Sequence, residues 1–360
     1  MSQLYKIVLS IVLAVFINTL SAQVKYSNEF LAIGVGARAL GMSNAAVATV
    51  SDVTSGYWNP AGLLQIKSNL EVSLMHSEYF AGIAKYDYGA IAARIDSSSV
   101  AAFSVIRFGV DDIPNTTQLI DANGNIDYDK ISTFSAADYA FLFSYAKQLK
   151  IPGLRLGGNA KIIRRTVGDF GGAWGFGLDA GAQYDYKNWK FGAMFRDVTS
   201  TFNAWSYSLD PQTKAVFQQT GNKIPENSVE ITLPRLILGA ARKFTFKEKF
   251  SLLAELNLVT TFDGKRNVLI KSNFASAEPR FGIEVGYKDF IFVRSGLGDF
   301  QTMKDITGNT VNTFQPNIGV GVRIKAVTLD YALTNIGDQS VALYSNVFSL
   351  KLDINKRTHN

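Results

Sequence analysis

The sequence predicts an all-β fold: one transmembrane antiparallel β-barrel of about fourteen strands, with a small N-terminal hatch inside its lumen. Three observations predict it. After Asn69 the chain falls into stretches that alternate apolar and polar residues, the period-two pattern of a strand with two different faces. The connections between these stretches alternate between long and short, as in barrels with tight turns on one side of a membrane and loops on the other. Charged residues make up only 18% of the 360 residues, while aromatics reach 12%, with 25 Phe and 15 Tyr. A barrel wall has that balance because it needs apolar side chains only at alternate positions.

Residues 1–22 read as a signal peptide. Lys6 supplies the positive start and Ile7 to Leu20 the apolar core, a run too short to span a bilayer comfortably. Cleavage is expected after Ala22, although Leu20 is larger than the residue preferred three positions before a cut. No cysteine occurs anywhere, which excludes a lipoprotein anchor, a disulfide framework and thiol chemistry. No later apolar run is long enough for a membrane helix, so membrane passage must be by strands.

Residues 23–66 form the expected hatch. Gly34 to Leu64 reads GVGARALGMSNAAVATVSDVTSGYWNPAGLL, rich in Gly, Ala and Ser, with Arg38 and Asp52 as its charges. A short helix is expected over 37–50, broken by Asp52 and Ser55. Gly56 to Gly62 then turns: Pro60 pushes Asn59 out of the α region and Gly62 permits positive φ. Such a segment is too small to fold alone, and its small residues allow close approach to something surrounding it. Gly34, Gly36 and Ala39 imitate a dinucleotide-binding loop, with Asp52 placed as a ribose acid. That reading fails because no apolar parallel strand follows.

The same stretch resembles the N-terminal signature of the PorV/PorQ family of Bacteroidetes outer-membrane proteins, which is related to the FadL-type transporters of hydrophobic compounds. The matching residues are Gly36, Ala37, Arg38, Gly41, Met42, Ala48, Asp52, Trp58, Asn59, Pro60, Ala61 and Gly62. The resemblance implies a FadL-like barrel in the outer membrane of a Gram-negative, Bacteroidetes-like bacterium. It implies a non-enzymatic component or accessory of type IX secretion, which binds the translocon or exported cargo carrying a C-terminal signal. The alternative it implies is a FadL-type transporter, with a hydrophobic small molecule as ligand.

The barrel is expected over 67–355, with a periplasmic tail at 356–360. Its strands are expected near 68–76, 84–94, 98–107, 134–147, 153–165, 173–186, 188–196, 233–244, 249–260, 279–288, 290–297, 314–324, 326–334 and 344–354. In the sixth, Trp174, Phe176, Leu178, Ala180, Ala182 and Tyr184 face one way, against Gly175, Gly177, Asp179, Gly181, Gln183 and Asp185. In the last, Phe348, Leu350, Leu352 and Ile354 oppose Ser349, Lys351 and Asp353. A slip of one residue would put charge into lipid, so register is strongly specified. Long loops are expected at 108–133, 197–232, 261–278 and 298–313, and intermediate ones after the first, fifth and thirteenth strands. Trp174, Tyr184, Tyr186, Trp189, Phe290 and Tyr344 suit interfacial girdles, where the barrel meets outer-membrane lipid. The chain runs past its last aromatic, Phe348, and lacks the terminal aromatic common in such barrels.

Lumen-facing charges are expected at Asp179, Glu255, Glu284, Arg323, Asp330 and Lys351. They should pair across the lumen and hold the hatch, since a buried charge needs a partner; Arg38 should join them through a carboxylate. Catalysis is not expected, for the only histidines are His76 and His359 and no hydrolase or zinc motif occurs. No cofactor or metal is expected. In 121–129, DANGNIDYD sets oxygen ligands at alternate positions like a calcium loop, but its Gly is misplaced and no Glu closes it. Asn123-Gly124 is also a strong hairpin turn. The net charge of +6 comes without a basic block interleaved with aromatics, which argues against nucleic acid. The candidate partner surface is loop 197–232, which carries Trp205, Tyr207 and Phe217 among polar residues.

Overall fold

The computed structural model describes residues 27–119, 125–304, 307–334 and 344–355. Its strands are β1 (Leu70–Tyr79), β2 (Ala84–Asp96), β3 (Ser99–Asn115), β4 (Ser132–Gln148), β5 (Leu154–Val167), β6 (Gly171–Tyr186), β7 (Trp189–Arg196), β8 (Thr201–Tyr207), β9 (Ser228–Thr232), β10 (Arg235–Phe246), β11 (Phe250–Thr261), β12 (Ile270–Lys271), β13 (Ser276–Tyr287), β14 (Ile291–Lys304), β15 (Thr310–Ile324), β16 (Val327–Thr334) and β17 (Ser345–Ile354). All pairings are antiparallel, and β1 pairs with β17 from Leu70↔Ile354 to Glu78↔Asn346, which closes the sheet. Fourteen strands make the closed wall, and β8, β9 and β12 extend its rim. Closure leaves no open edge in the fourteen-strand wall, as the hydrocarbon of a membrane requires.

The wall strands fall where the alternation predicts, within a few residues at most ends. The larger differences are at the rim, where β3 runs on to Asn115 and β14 to Lys304. Alternation sets the faces. On β6, Trp174, Phe176, Leu178 and Tyr184 are exposed, while Ala173, Asp179 and Gln183 are buried. The same holds on β17, where Phe348 and Ile354 point out and Val347 is buried. Tyr184 stacks with Tyr186 and Trp189 with Phe191 beside the β6–β7 turn, an aromatic girdle of the kind that marks a membrane interface.

Three expectations need correction. The loops after the first and fifth strands are not intermediate: residues 80–83 and 168–170 make tight turns, with Phe80, Ala81, Gly82 and Gly168 in left-handed conformations. The stretch 197–232 is not a free loop. β8 takes over the ladder of β6 from Gly171↔Tyr207 to Phe176↔Phe202, and β9 pairs back on β8. Helix Pro211–Gln219 connects them, capped by Asp210. Trp205 is therefore buried, stacked on Tyr207 at 5.6 Å with the Arg165 guanidinium 5.0 Å from its ring. Tyr207 and Phe217 are half-buried.

The third correction concerns the helix expected over 37–50. Only α1 (Ala37–Gly41) forms. Ser43 and Asn44 then adopt positive φ, because contacts with the surroundings override helix propensity. Asn317 on β15 donates to Ser43 Oγ at 2.6 Å, and Asn44 donates to Ile33 O at 3.1 Å. Then follow α2 (Ser55–Trp58) and a 3-10 helix, Pro60–Gln65. This segment fills the lumen. Val35, Leu40, Val53, Tyr57, Trp58 and Leu63 pack against Met75, Tyr86, Ile106 and Ile163 of the wall. The expected signal peptide and tail, and residues 121–124 of the 121–129 loop, lie outside the described residues.

Candidate functional site

The segment is held by wall side chains that reach inward and by wall glycines that let it approach. A Cβ on Gly41 would lie 3.0 Å from the Gly319 Cα of β15. Gly282 and Gly296 make room for Met42 in the same way, and Gly181 for Asn59 and Pro60. Gly36 does need its positive φ of 83°, and its amide points at Met75 Sδ, 3.0 Å away. Gly62 does not have the positive φ expected of it. It lies inside the 3-10 helix, where a Cβ would meet Ser55 Oγ at 2.7 Å, so it is small because the space is small.

Asn59 is the centre of the turn. Its amide donates to Val47 O at 3.0 Å and to Ala182 O on β6 at 2.9 Å, and its oxygen caps Ala61 N at 3.3 Å. Pro60 opens the 3-10 helix at the position where a missing N–H costs nothing. Trp58 Nε1 donates to Val35 O at 2.8 Å. Arg196 of β7 lies 4.3 Å from the Tyr57 ring and donates to Tyr57 O and Leu31 O, each at 3.1 Å.

Charges complete the attachment. Arg38 Nε meets Glu284 Oε2 at 2.9 Å, and Glu284 also accepts from Arg294, which pairs with Asp330 at 2.6 Å. Burial opposes the charge of Arg38, but Glu284 outweighs it and raises the guanidinium above its ordinary range. Asp52 accepts from Thr54 N at 3.0 Å and lies 3.7 Å from Lys351 Nζ. Burial again opposes ionisation, yet Lys351, Thr54 and Arg38 together hold the Asp52 carboxyl below its usual range. Glu255, fully buried, accepts from Ala48 N at 2.8 Å and Thr49 Oγ1 at 2.5 Å. Asp179 sits with Lys161 and Asp197 in a buried cluster at the β7–β8 bulge, with Lys161 Nζ 2.7 and 2.5 Å from the two acids. Arg323 differs from the rest. It is exposed at the turn side, with contacts to Thr328 and the Phe292 ring. Glu71 was missed, although it accepts from Val53 N at 2.5 Å; its inward parity on the first strand was the available signal.

The segment separates two cavities. On the rim side, about 490 Å³ is lined by Ile33, Leu40, Val259, Arg235, Arg266 and Arg280 among others. Its arginines are paired: Arg235 and Arg266 with Glu29 at 3.3 and 3.2 Å, and Arg280 with Glu278 at 3.0 Å. Asp263, on the rim beside it, is held below its usual range because Arg266 outweighs the effect of burial. On the turn side, about 440 Å³ is lined by Arg38, Glu71, Lys190, Lys243, Glu284 and Lys351 among others. Leu40 and Asn44 of the segment close the first cavity and Arg38 and Thr49 the second. Among the described residues, no three His, Cys, Asp or Glu converge as metal ligands.

Solved structures share this barrel fold. The barrel is FadL-like. The toluene transporter TbuX of Ralstonia pickettii superposes with a TM-score of 0.52 at 14% identity, over 89% of this chain and 99% of that one. The CymD monoaromatic hydrocarbon channel gives 0.56 at 13%, over 91% and 99%. A Pseudomonas aeruginosa FadL homologue gives 0.52 at 11%, over 89% and 98%. No protein-family model matches the chain, and no curated protein matches it in sequence. The shared property is the fold, and these neighbours are transporters and channels.

Proposed function

We propose that the chain is an outer-membrane uptake barrel for a small molecule with an apolar body and a polar end, and that residues 27–67 are its gate. The observation that carries this is the division of the lumen: a rim-side cavity of about 490 Å³, of a size that suits a small ligand, floored by the N-terminal segment. Hydrocarbon transport by the fold neighbours supports the hydrophobic half of the reading. The arginine–carboxylate pairs of the cavity wall supply the polar half, since they stand beside Ile33, Leu40 and Val259 and offer charge-assisted hydrogen bonds to a polar end. The secretion role rests on the resemblance to the PorV/PorQ signature alone, and 197–232, the loop expected to bind its partner, has strands in the sheet.

Passage requires the segment to shift, so fixing it should stop uptake. Ser43 and Asn317 are in hydrogen-bond contact across the segment–wall boundary, and the chain has no cysteine to interfere. Cells carrying Ser43→Cys with Asn317→Cys should take up radiolabelled octanoate or toluene at background rate when oxidised and recover on reduction. Equal uptake in both states would refute the gate. Uptake no greater than in cells lacking the protein, for either probe, would refute the transport reading.

A further inference from the structure

Six ionisable side chains stand on the outward face of three adjacent wall strands. His76 and Glu78 on β1 are 50% and 56% exposed, between buried Met75, Ser77 and Tyr79. Lys85 and Asp87 on β2, and Arg107 and Asp111 on β3, alternate in the same way with buried Tyr86, Tyr88 and Ile106. The six form one seam. His76 Nδ1 is 2.7 Å from Asp87, Arg107 is 3.8 Å from Asp87 and 3.1 Å from Asp111, and Lys85 is 3.6 Å from Asp111. Elsewhere the middle of the outward wall is apolar, with Ile162, Leu178, Leu238, Leu256, Val293 and Val320 all exposed.

The seam runs from the rim, where Glu78, Lys85 and Asp111 lie beside the hairpin, down into the outward apolar band at His76, Asp87 and Arg107. Asp87 is about 13 Å along β2 from the hairpin tip at Ile83, at 3.3 Å per residue. Exposed Leu74, Ile91 and Phe103 continue the outward face below it. Charge on the lipid face of a barrel is destabilising to a degree set by depth, so hydrocarbon is the wrong neighbour for this surface.

Beside the seam the wall is concave. A groove of about 800 Å³ runs between β1–β3 and β15–β17, lined by Leu74, Val320, Leu329, Tyr331, Phe348 and Leu350, with His76, Asp87 and Arg107 along one edge. The opposite wall has a comparable hollow of about 480 Å³ at Tyr184, Phe191, Leu238 and Leu256, and no charged side chain lines it. An apolar centre with a charged edge is the anatomy of a protein interface.

We propose that this face docks another membrane-embedded protein, one that lays an apolar ridge in the groove and sets a lysine or arginine against the seam. Charge selects that partner. Glu78, Asp87 and Asp111 are three carboxylates, and Lys85 and Arg107 are the two permanent cations facing them. A cation from outside completes the set. An acyl chain fits the groove but brings nothing to the seam. A second copy, related by a two-fold axis along the membrane normal, brings the same excess of acid to the same depth.

The test uses the full chain in its native outer membrane. A photo-crosslinking residue at Phe348 should give an adduct with a protein, at least tenfold over the same residue at Leu238 on the opposite wall. Glu78→Lys should reduce that adduct at least tenfold. Glu78→Gln removes one of the three carboxylates without adding a charge to the wall, and should also reduce the adduct at least tenfold while the barrel still shifts on heating in a denaturing gel. That neutral variant decides the matter if Glu78→Lys does not assemble. An adduct that survives both substitutions, an adduct of two copies of this chain, or lipid adducts alone at both positions would overturn the proposal.

Discussion

Lys161 and Arg107 each stand on the barrel wall between two carboxylates, one facing the lumen and the other facing out. Lys161 is 3% exposed and lies 2.7 and 2.5 Å from Asp179 and Asp197. Arg107 is 26% exposed and lies 3.1 and 3.8 Å from Asp111 and Asp87. Inside, the ions are enclosed, closely paired, and tied into a bulge of the backbone, where Asp179 also accepts from Asp197 N at 2.8 Å. Outside, the pairs are longer and half open. A buried charge with a complete set of partners is a finished structure, whereas an open set is a surface that still has contacts to make.

The comparison breaks most severely from the inside. Lys161→Met should destabilise the barrel by about 3–5 kcal/mol, because it leaves two carboxylates buried without their cation; urea titration of the detergent-solubilised barrel would measure it. Outside, the depth of the apolar band sets the scale. Leu238→Arg should cost about 2–4 kcal/mol if it sits near the midplane, read in the same titration. Val105→Arg, beside the seam, should cost less than half as much, since Asp87 on the neighbouring strand is there to receive it. Equal costs at the two positions would erase the distinction between the walls.

The smallest effect is pH-dependent. The folded Asp52 carboxyl lies below its unfolded value, so its stabilisation is present above the ordinary aspartate range near pH 4 and is lost as pH falls through the folded value. Lys351 supplies the largest of the favourable contributions. Lys351→Met should therefore lower stability by about 1 kcal/mol at neutral pH, with the gap to the parent closing on acidification below about pH 4. Lys351 Nζ also lies 3.8 Å from Glu71, and a gap that closes at a higher pH instead would mean that Glu71 is the group it serves.

Much of the wall was legible. Alternation along β6 and β17 set both register and faces, because a one-residue slip would have exchanged Asp179 with Leu178. The small residues of 34–64 pointed to an enclosed segment for a physical reason, since only such residues tolerate backbone contact like that of Gly41 with Gly319. The site was legible as parity and no further: Glu255 and Glu284 could be placed inside, but what each one holds depends on a segment more than two hundred residues away. The helix expected at 37–50 failed for the same reason, as wall contacts set the backbone at Ser43 and Asn44. The outward charges of β1–β3 stand in the sequence at His76, Glu78, Lys85, Asp87, Arg107 and Asp111, but alternation gives two faces without saying which one meets lipid where both carry polar groups.

The lumenal segment precedes every strand in the chain and yet touches the last. Ala37 N donates to Ser349 on β17 across 312 residues, and Arg38 reaches Glu284 across 246. Such contacts form only after most of the chain has been gathered, and the loop-closure entropy falls due before they return anything. Seating the segment and zipping β1 to β17 are therefore one late event in the life of the molecule. A chain stalled before that event has an open seam and a loose N-terminus together, so protease sensitivity near Thr54 and exposure of the β17 edge should disappear at the same moment during folding.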